Sequence, residues 1–206
     1  NPQSQAGKLT SLLARAKPEQ KACLLRVLSI VGGQAALPAV RAATSDANGQ
    51  VSDAAIRALC SWKTADAAPD LLALAKTSSE PSRKTAALQG YINLVRDDSL
   101  STAQRLAMCK QAAELIVRNE DKKLLLGALG TVPSVEALAM AMGHLDNEAT
   151  RAEAGFAAVA ISEKIVDQNP KQVTEALQKV LQTTDNKNVI RTAKQTLQKA
   201  RKGAGR

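Results

Sequence analysis

Residues 34–40 read QAALPAV and residues 65–71 read ADAAPDL, and these two stretches decide the fold. Each places a proline inside an alanine-rich apolar run, and Pro38 and Pro69 stand 31 residues apart. Proline is accepted in the first turn of a helix, so each copy predicts a helix that starts at the same point of a repeating unit. Periods between about 20 and 50 residues are typical of stacked helical repeats.

Further copies extend this pattern. Residues 132–138 (VPSVEAL) look like a third copy of the first helix, and residues 53–59 (DAAIRAL) resemble residues 85–91 (TAALQGY) in the second helix. Apolar stretches with helical spacing alternate with short breaks rich in Gly, Pro, Asp, Asn and Ser. We predict twelve helices that pair into six hairpins, at residues 4–16, 19–31, 35–44, 51–62, 67–76, 81–96, 102–118, 122–129, 134–142, 148–166, 171–182 and 188–202. The seventh of these is long and the eighth is short, so we expect an irregular middle.

The composition supports close packing of small side chains. Hydrophobic residues make up 45% of the chain, but aromatic residues only 1%: Trp62, Tyr91 and Phe156. All three fall at apolar helix positions, so we expect them in the core, with Trp62 near a helix end. Since one helix pair cannot bury its apolar face alone, neighbouring pairs must stack.

The turn between paired helices resembles the HEAT repeat. Residues 185–191 (DNKNVIR) match its Asp in the turn and its Val/Ile-Arg at the start of the second helix, and residues 146–151 match more loosely. The resemblance implies an Asp–Arg ladder between neighbouring repeats, a role that falls on Asp185 and Arg191 and, through the looser match, on Asp146 and Arg151. It also implies an all-α, right-handed α-α superhelix, a HEAT-like or armadillo-type solenoid of about six helix pairs. We expect a single array over residues 1–202 and a flexible basic tail over residues 203–206.

A second resemblance concerns the context of the chain. Residues 59–63 (LCSWK) followed by residues 66–72 (DAAPDLL) are similar to HEAT arrays of exported bacterial multidomain proteins. Some of those proteins carry a neighbouring domain of the 3-keto-disaccharide hydrolase type. This implies an accessory domain of a bacterial carbohydrate-active envelope protein, and a periplasmic or exported location over a cytoplasmic one. No apolar stretch is long enough to span a bilayer.

The amino-acid sequence contains no recognisable catalytic motif. His144 is the single histidine and lies at a predicted helix end, where we expect a capping or surface role. Cys23, Cys60 and Cys109 are widely spaced inside apolar helices, so we expect three buried thiols. We therefore predict that the chain is not an enzyme and carries neither a cofactor nor a metal.

A protein-interaction or scaffolding module is the function that this architecture predicts. We expect a monomer that binds a protein partner on a concave surface lined by the second helices. The candidate contacts are polar residues that lie off the apolar stripes of those helices, namely Arg26, Arg57, Gln89, Asn93 and Arg151.

The charge distribution leaves an alternative open. The net charge is +9, and seven of the 28 basic residues follow Gln182, where Asp185 is the single acidic residue. These cations suit a solvated end helix and its dipole. They also fit an acidic partner or nucleic acid, which Lys194, Lys199, Arg201 and Lys202 would contact.

Overall fold

The computed structural model describes residues 2–33 and 35–203, and it places twelve α-helices and no strand in that part of the chain. A short 3-10 turn at Ala65–Ala67 precedes the fifth helix. All twelve predicted helices are confirmed. Their bounds are α1 Pro2–Arg15, α2 Pro18–Val31, α3 Leu37–Ala43, α4 Gly49–Cys60, α5 Ala68–Thr77, α6 Pro81–Leu94, α7 Thr102–Ala113, α8 Asn119–Leu129, α9 Val135–Met142, α10 Arg151–Ile165, α11 Pro170–Thr183 and α12 Lys187–Gly203.

The helices pack as adjacent pairs within two compact units. Unit 1 covers Asn1–Ser99, and its three pairs are joined through the second helices, because α2 packs on α4 and α4 packs on α6. Unit 2 covers Leu100–Arg206, where α8 packs on α10 and α10 packs on α12. Paired helices stacked in this way form a HEAT-type solenoid arrangement. A single array over residues 1–202 stays a prediction, and most of the predicted tail, residues 204–206, lies outside the described residues.

Prolines set the starts of several helices. Pro38 lies in the first two positions of α3 and Pro69 in the first two positions of α5, which confirms that these are equivalent points of two repeats. The third copy is out of register, because Pro133 precedes the N-cap Ser134 and α9 begins only at Val135. At the other end of a helix, Gly32 and Gly33 stop α2 with φ angles of 65° and 86°.

The middle of the chain is more regular than we expected. The seventh helix ends at Ala113 instead of residue 118, and the eighth begins at Asn119 instead of residue 122. The two helices therefore have 12 and 11 residues. The seventh helix thus ends before the β-branched Ile116 and Val117, and Val117 is exposed in the turn.

The core is built from leucine, alanine, valine and isoleucine, as the composition predicted. Trp62 and Tyr91 are buried in unit 1, which confirms two of the three aromatic predictions. Phe156 was predicted wrongly, because its side chain is 48% exposed on α10. None of the described helices is both long enough and apolar enough to cross a membrane.

Candidate functional site

Ion pairs join neighbouring repeats within each unit and engage seven of the 28 basic residues. In unit 1 the Arg41 guanidinium holds the Asp70 carboxylate through two hydrogen bonds, of 2.7 and 2.6 Å. Each such pair joins residues about one repeat apart, so it ties one helix pair to the next. The others are Lys21–Asp46 and Arg83–Asp53 in unit 1, and Lys110–Glu136, Lys123–Glu153, Lys179–Asp146 and Lys199–Asp167 in unit 2.

This ladder uses only one of the four residues for which we expected a ladder role. Asp146 pairs with Lys179 at 3.0 Å, across neighbouring repeats, while Arg151 donates its Nε–H to the carbonyl oxygen of Leu145 at 3.1 Å. Arg191 contacts the Oδ1 atom of Asn188 at 3.5 Å, one turn earlier in the chain. The expected role is therefore wrong for Arg151 and Arg191 among the described residues, because lysines form the ladder at these repeats.

Arg26 and Arg57 stand apart from this ladder. They occupy equivalent positions of α2 and α4, 31 residues apart, and both are exposed. Neither forms an ion pair with any described residue. Both line a groove of about 540 Å³ between the two helices, and no acidic side chain lines it with them. The other lining residues are Ala22, Cys23, Ser29, Ala54, Ala58 and Ser61.

Two further grooves adjoin this one on the surface of unit 1. The groove between α1 and α2 has a volume of about 420 Å³ and shares Cys23 with the central groove. The groove where α4 and α6 end has a volume of about 600 Å³, shares Ser61 with the central groove, and contains Asn93. Each neighbour shares a lining residue with the central groove, so the three adjoin one another. We call them the groove row and number them along the chain: the first lies between α1 and α2, the second is the central groove between α2 and α4, and the third lies where α4 and α6 end.

The groove row brings together three of the five predicted partner contacts. Arg26, Arg57 and Asn93 line it. Gln89 lies on α6, 32 residues after Arg57 and one turn before Asn93, and is half-buried. Arg151 belongs to unit 2, where its guanidinium donates a hydrogen bond to a backbone carbonyl, so it is not part of the groove row.

Sequence reasoning missed the apolar end of the groove row. Leu12 lines the first groove and is 57% exposed, beside Leu24 and Ala16. Cys23, which we expected to be buried, is exposed between the first and second grooves. The apolar pattern gave no signal for Leu12, because it stands next to Leu13, which is only 6% exposed.

A second charged surface lies on α12. Lys187, Arg191, Lys194, Arg201 and Lys202 recur at helical spacing and share one side of this helix. We call these five residues the α12 stripe. None of them forms an ion pair with a described residue.

The four predicted polyanion contacts divide between two faces of α12. Lys194, Arg201 and Lys202 belong to the α12 stripe and are exposed. Lys199 projects from another face, and its ammonium pairs with Asp167 at 2.9 Å. Lys199 therefore already holds two neighbouring helix pairs together.

The titratable groups offer little for acid–base or nucleophilic chemistry. Burial raises the pKa of the Cys60 thiol to about 11 and that of Cys109 to about 12, so both are thiols at neutral pH. Burial and the nearby Lys122 charge lower the pKa of His144, which opposes the cationic capping role that we expected. Among the described residues, no three His, Cys, Asp or Glu side chains cluster where a metal could bind.

Stacked helix pairs, side-by-side second helices and one ion pair between repeats define an α-helical repeat protein. A family model for HEAT repeats matches residues 7–92, which run from α1 into α6 within unit 1. This match and the twelve paired helices fit a HEAT-like repeat protein. No match was found among curated proteins. HEAT repeats generally mediate protein interactions or scaffolding and are typically non-catalytic.

Proposed function

We propose that this chain is a protein-interaction module that docks its partner on the second helices of unit 1, along the groove row. The observation that supports this is the pair of exposed arginines, Arg26 and Arg57, which the ion-pair ladder leaves unused. Exposed Leu12 at one end adds an apolar side chain of the kind that protein interfaces bury. Adjoining grooves with unpaired cations and an apolar end support docking of a chain segment.

Cys23 provides a direct test of this surface. It is exposed between two of the grooves, whereas Cys60 and Cys109 are held as thiols by their raised pKa values, so a maleimide photo-crosslinker at pH 7 attaches at Cys23. Irradiation in an extract of the organism that encodes the chain should give discrete protein adducts. The matched control moves the cysteine to exposed Lys76 on α5 (Cys23→Ser with Lys76→Cys). Equal adducts from both positions, or none from Cys23, would contradict the proposal.

Polyanion binding through the α12 stripe is a second candidate, because its five cations lack acidic partners among the described residues. Binding of a labelled DNA duplex should weaken with salt, and each phosphate contact contributes about 0.9 to the slope of log K against log salt. Lys194→Ala should lower that slope by about 1. Lys199→Ala removes the same charge from a paired residue and should leave the slope unchanged. A duplex that fails to bind at low salt rejects this candidate.

The accessory-domain alternative stays a prediction. The coding sequence that surrounds this chain in its gene would test it, because a neighbouring sugar-hydrolase-like domain would be present or absent.

A further inference from the structure

We propose that the groove row binds an extended acidic peptide segment, which carries an apolar side chain at the end that meets Leu12. This deepens the proposed function and rests on it, since it assigns the chemistry of the partner to the same surface.

The charge of the groove row favours carboxylates. Five basic side chains line its three grooves, against Asp97 as the single acidic one: Arg15, Arg26, Arg57, Lys63 and Arg96. The Asp97 carboxylate accepts the backbone N–H groups of Ala65 at 2.7 Å and Ser99 at 2.9 Å, so its charge is already engaged within unit 1. Guanidinium groups bind carboxylates through paired, charge-assisted hydrogen bonds.

The floor of the central groove keeps the two arginines accessible to a peptide. Ala22, Ala54 and Ala58 line the same groove as the two arginines, and none of them has a side chain beyond Cβ. A peptide backbone can therefore approach the α2–α4 contact closely, while its acidic side chains reach the guanidinium groups on either side.

The first groove supplies a different contact. Leu12, Ala16 and Leu24 line it, and Leu12 is 57% exposed. An apolar residue of the ligand would cover this leucine and gain about 25 cal/mol for each Å² removed from water. The order of the grooves then sets the direction of the bound peptide. Its apolar residue lies between α1 and α2, and its carboxylates lie between α2 and α6.

The spacing of the helices sets the length of the ligand. Packed helices lie about 8–10 Å apart, so the first and third grooves are separated by about 16–20 Å. An extended chain advances about 3.3 Å per residue, so a segment of about six residues spans the row.

Nucleic acid fits this surface less well. Single-stranded binding relies on aromatic side chains on which bases stack. Trp62 is the single aromatic residue that lines the groove row. It is 3% exposed, and its indole N–H donates to the Oδ1 atom of Asp66 at 3.0 Å. The groove row therefore combines cations with an apolar contact and lacks a stacking platform.

The test uses the full chain and a labelled eight-residue peptide that begins with leucine and alternates glutamate with serine. Fluorescence anisotropy should show saturable binding that weakens as salt increases. Arg26→Glu with Arg57→Glu should lower the affinity by about 30-fold or more, at about fivefold to tenfold for each arginine. The matched control, Lys76→Glu with Lys171→Glu, makes the same change in net charge at exposed residues of α5 and α11 that lie outside both proposed binding surfaces, and should alter the affinity less than about threefold. Circular dichroism checks that both double variants remain folded.

Two ligand controls separate the contacts. Replacing glutamate by glutamine in the peptide should abolish binding, and replacing leucine by alanine should weaken it several-fold. The bound peptide should also slow maleimide modification of Cys23, which lies between the apolar and the basic grooves. Equal losses in the two double variants, or unchanged binding of the glutamine peptide, would overturn the inference. So would tighter binding of single-stranded DNA that Arg26→Glu with Arg57→Glu abolishes.

Failure of this inference is distinguishable from failure of the proposed function. If the peptide does not bind but the Cys23 crosslinker still gives position-specific adducts, the docking surface stands and its acidic chemistry is rejected. If position-specific adducts are also missing, both are rejected.

Discussion

The groove between α2 and α4 in unit 1 and the groove between α8 and α10 in unit 2 are built from the same kinds of helix, yet they differ in chemistry. The first has about 540 Å³ and two arginines that form no ion pair with the part of the chain that the structure describes. The second has about 300 Å³ and is lined mainly by small apolar residues around exposed Phe156. Its one acidic residue, Glu153, faces Lys123 at 3.7 Å, and Lys164 donates to the carbonyl oxygen of Gly130 at 3.0 Å.

The comparison shows that helix stacking and surface chemistry are separate properties of this chain. In unit 2 the cations near the groove hold neighbouring helices together, so they are not available to a partner. In unit 1 the ladder uses Lys21, Arg41 and Arg83 and leaves Arg26 and Arg57 free of ion pairs among the described residues. Function follows from such side chains and not from the repeat scaffold.

The largest expected effect contrasts the aromatic residues of the two units. Trp62 is 3% exposed and donates a hydrogen bond to Asp66, whereas Phe156 is 48% exposed. Trp62→Ala should therefore lower the free energy of unfolding by about 3–5 kcal/mol, and Phe156→Ala by less than about 1 kcal/mol. Urea unfolding followed by circular dichroism measures both. A Phe156→Ala variant as unstable as Trp62→Ala would mean that Phe156 is part of the core after all.

Glycine packing gives the next contrast. A Cβ atom at Gly90 on α6 would lie 2.8 Å from the Cys60 carbonyl oxygen and 3.1 Å from its Cα, so α4 and α6 would have to move apart. We expect Gly90→Ala to cost about 1–3 kcal/mol, as overpacking does.

The matched control is Gly155 in unit 2, where an added Cβ would meet side-chain atoms only at 3.8 and 3.9 Å. Gly155→Ala should be neutral or stabilising by about 0.5–1 kcal/mol, because alanine favours the helix. Thermal unfolding of both variants is the measurement. Equal shifts of Tm in the same direction would contradict this difference between the two contacts.

The smallest effect is a pH dependence confined to unit 2. Burial lowers the pKa of His144 below its usual 6.5, so the unfolded chain takes up a proton before the folded chain does. Stability from this residue is complete above about pH 6.5 and is lost as the pH falls through the folded pKa.

Urea unfolding followed by circular dichroism measures this effect. Lowering the pH from 7.5 to 5.5 should shift the dichroism midpoint more in the wild type than in His144→Gln. A His144→Gln variant that keeps the full dichroism shift would show that another group titrates.

Burial within an element was predictable only where the apolar pattern is one-sided. Leu25 and Leu28 follow the apolar stripe of α2 and are fully buried, but Cys23 on the same helix is exposed. Around Phe156, α10 is apolar on nearly all sides, so periodicity could not identify the face that meets its neighbours. Which side of such a helix is covered depends on the helices packed against it.

The amino-acid sequence by itself determined the twelve helices, their pairing and the HEAT-like class, because proline positions, turn residues and helical periodicity are local properties that repeat along the chain. It also placed Arg26 and Arg57 on second helices. Only the tertiary structure decided which cations form ion pairs with a neighbouring repeat and which remain available to a partner. The reason is physical: an ion pair or a shared groove depends on distances between residues about 30 positions apart, and the stacking of one repeat on the next sets those distances.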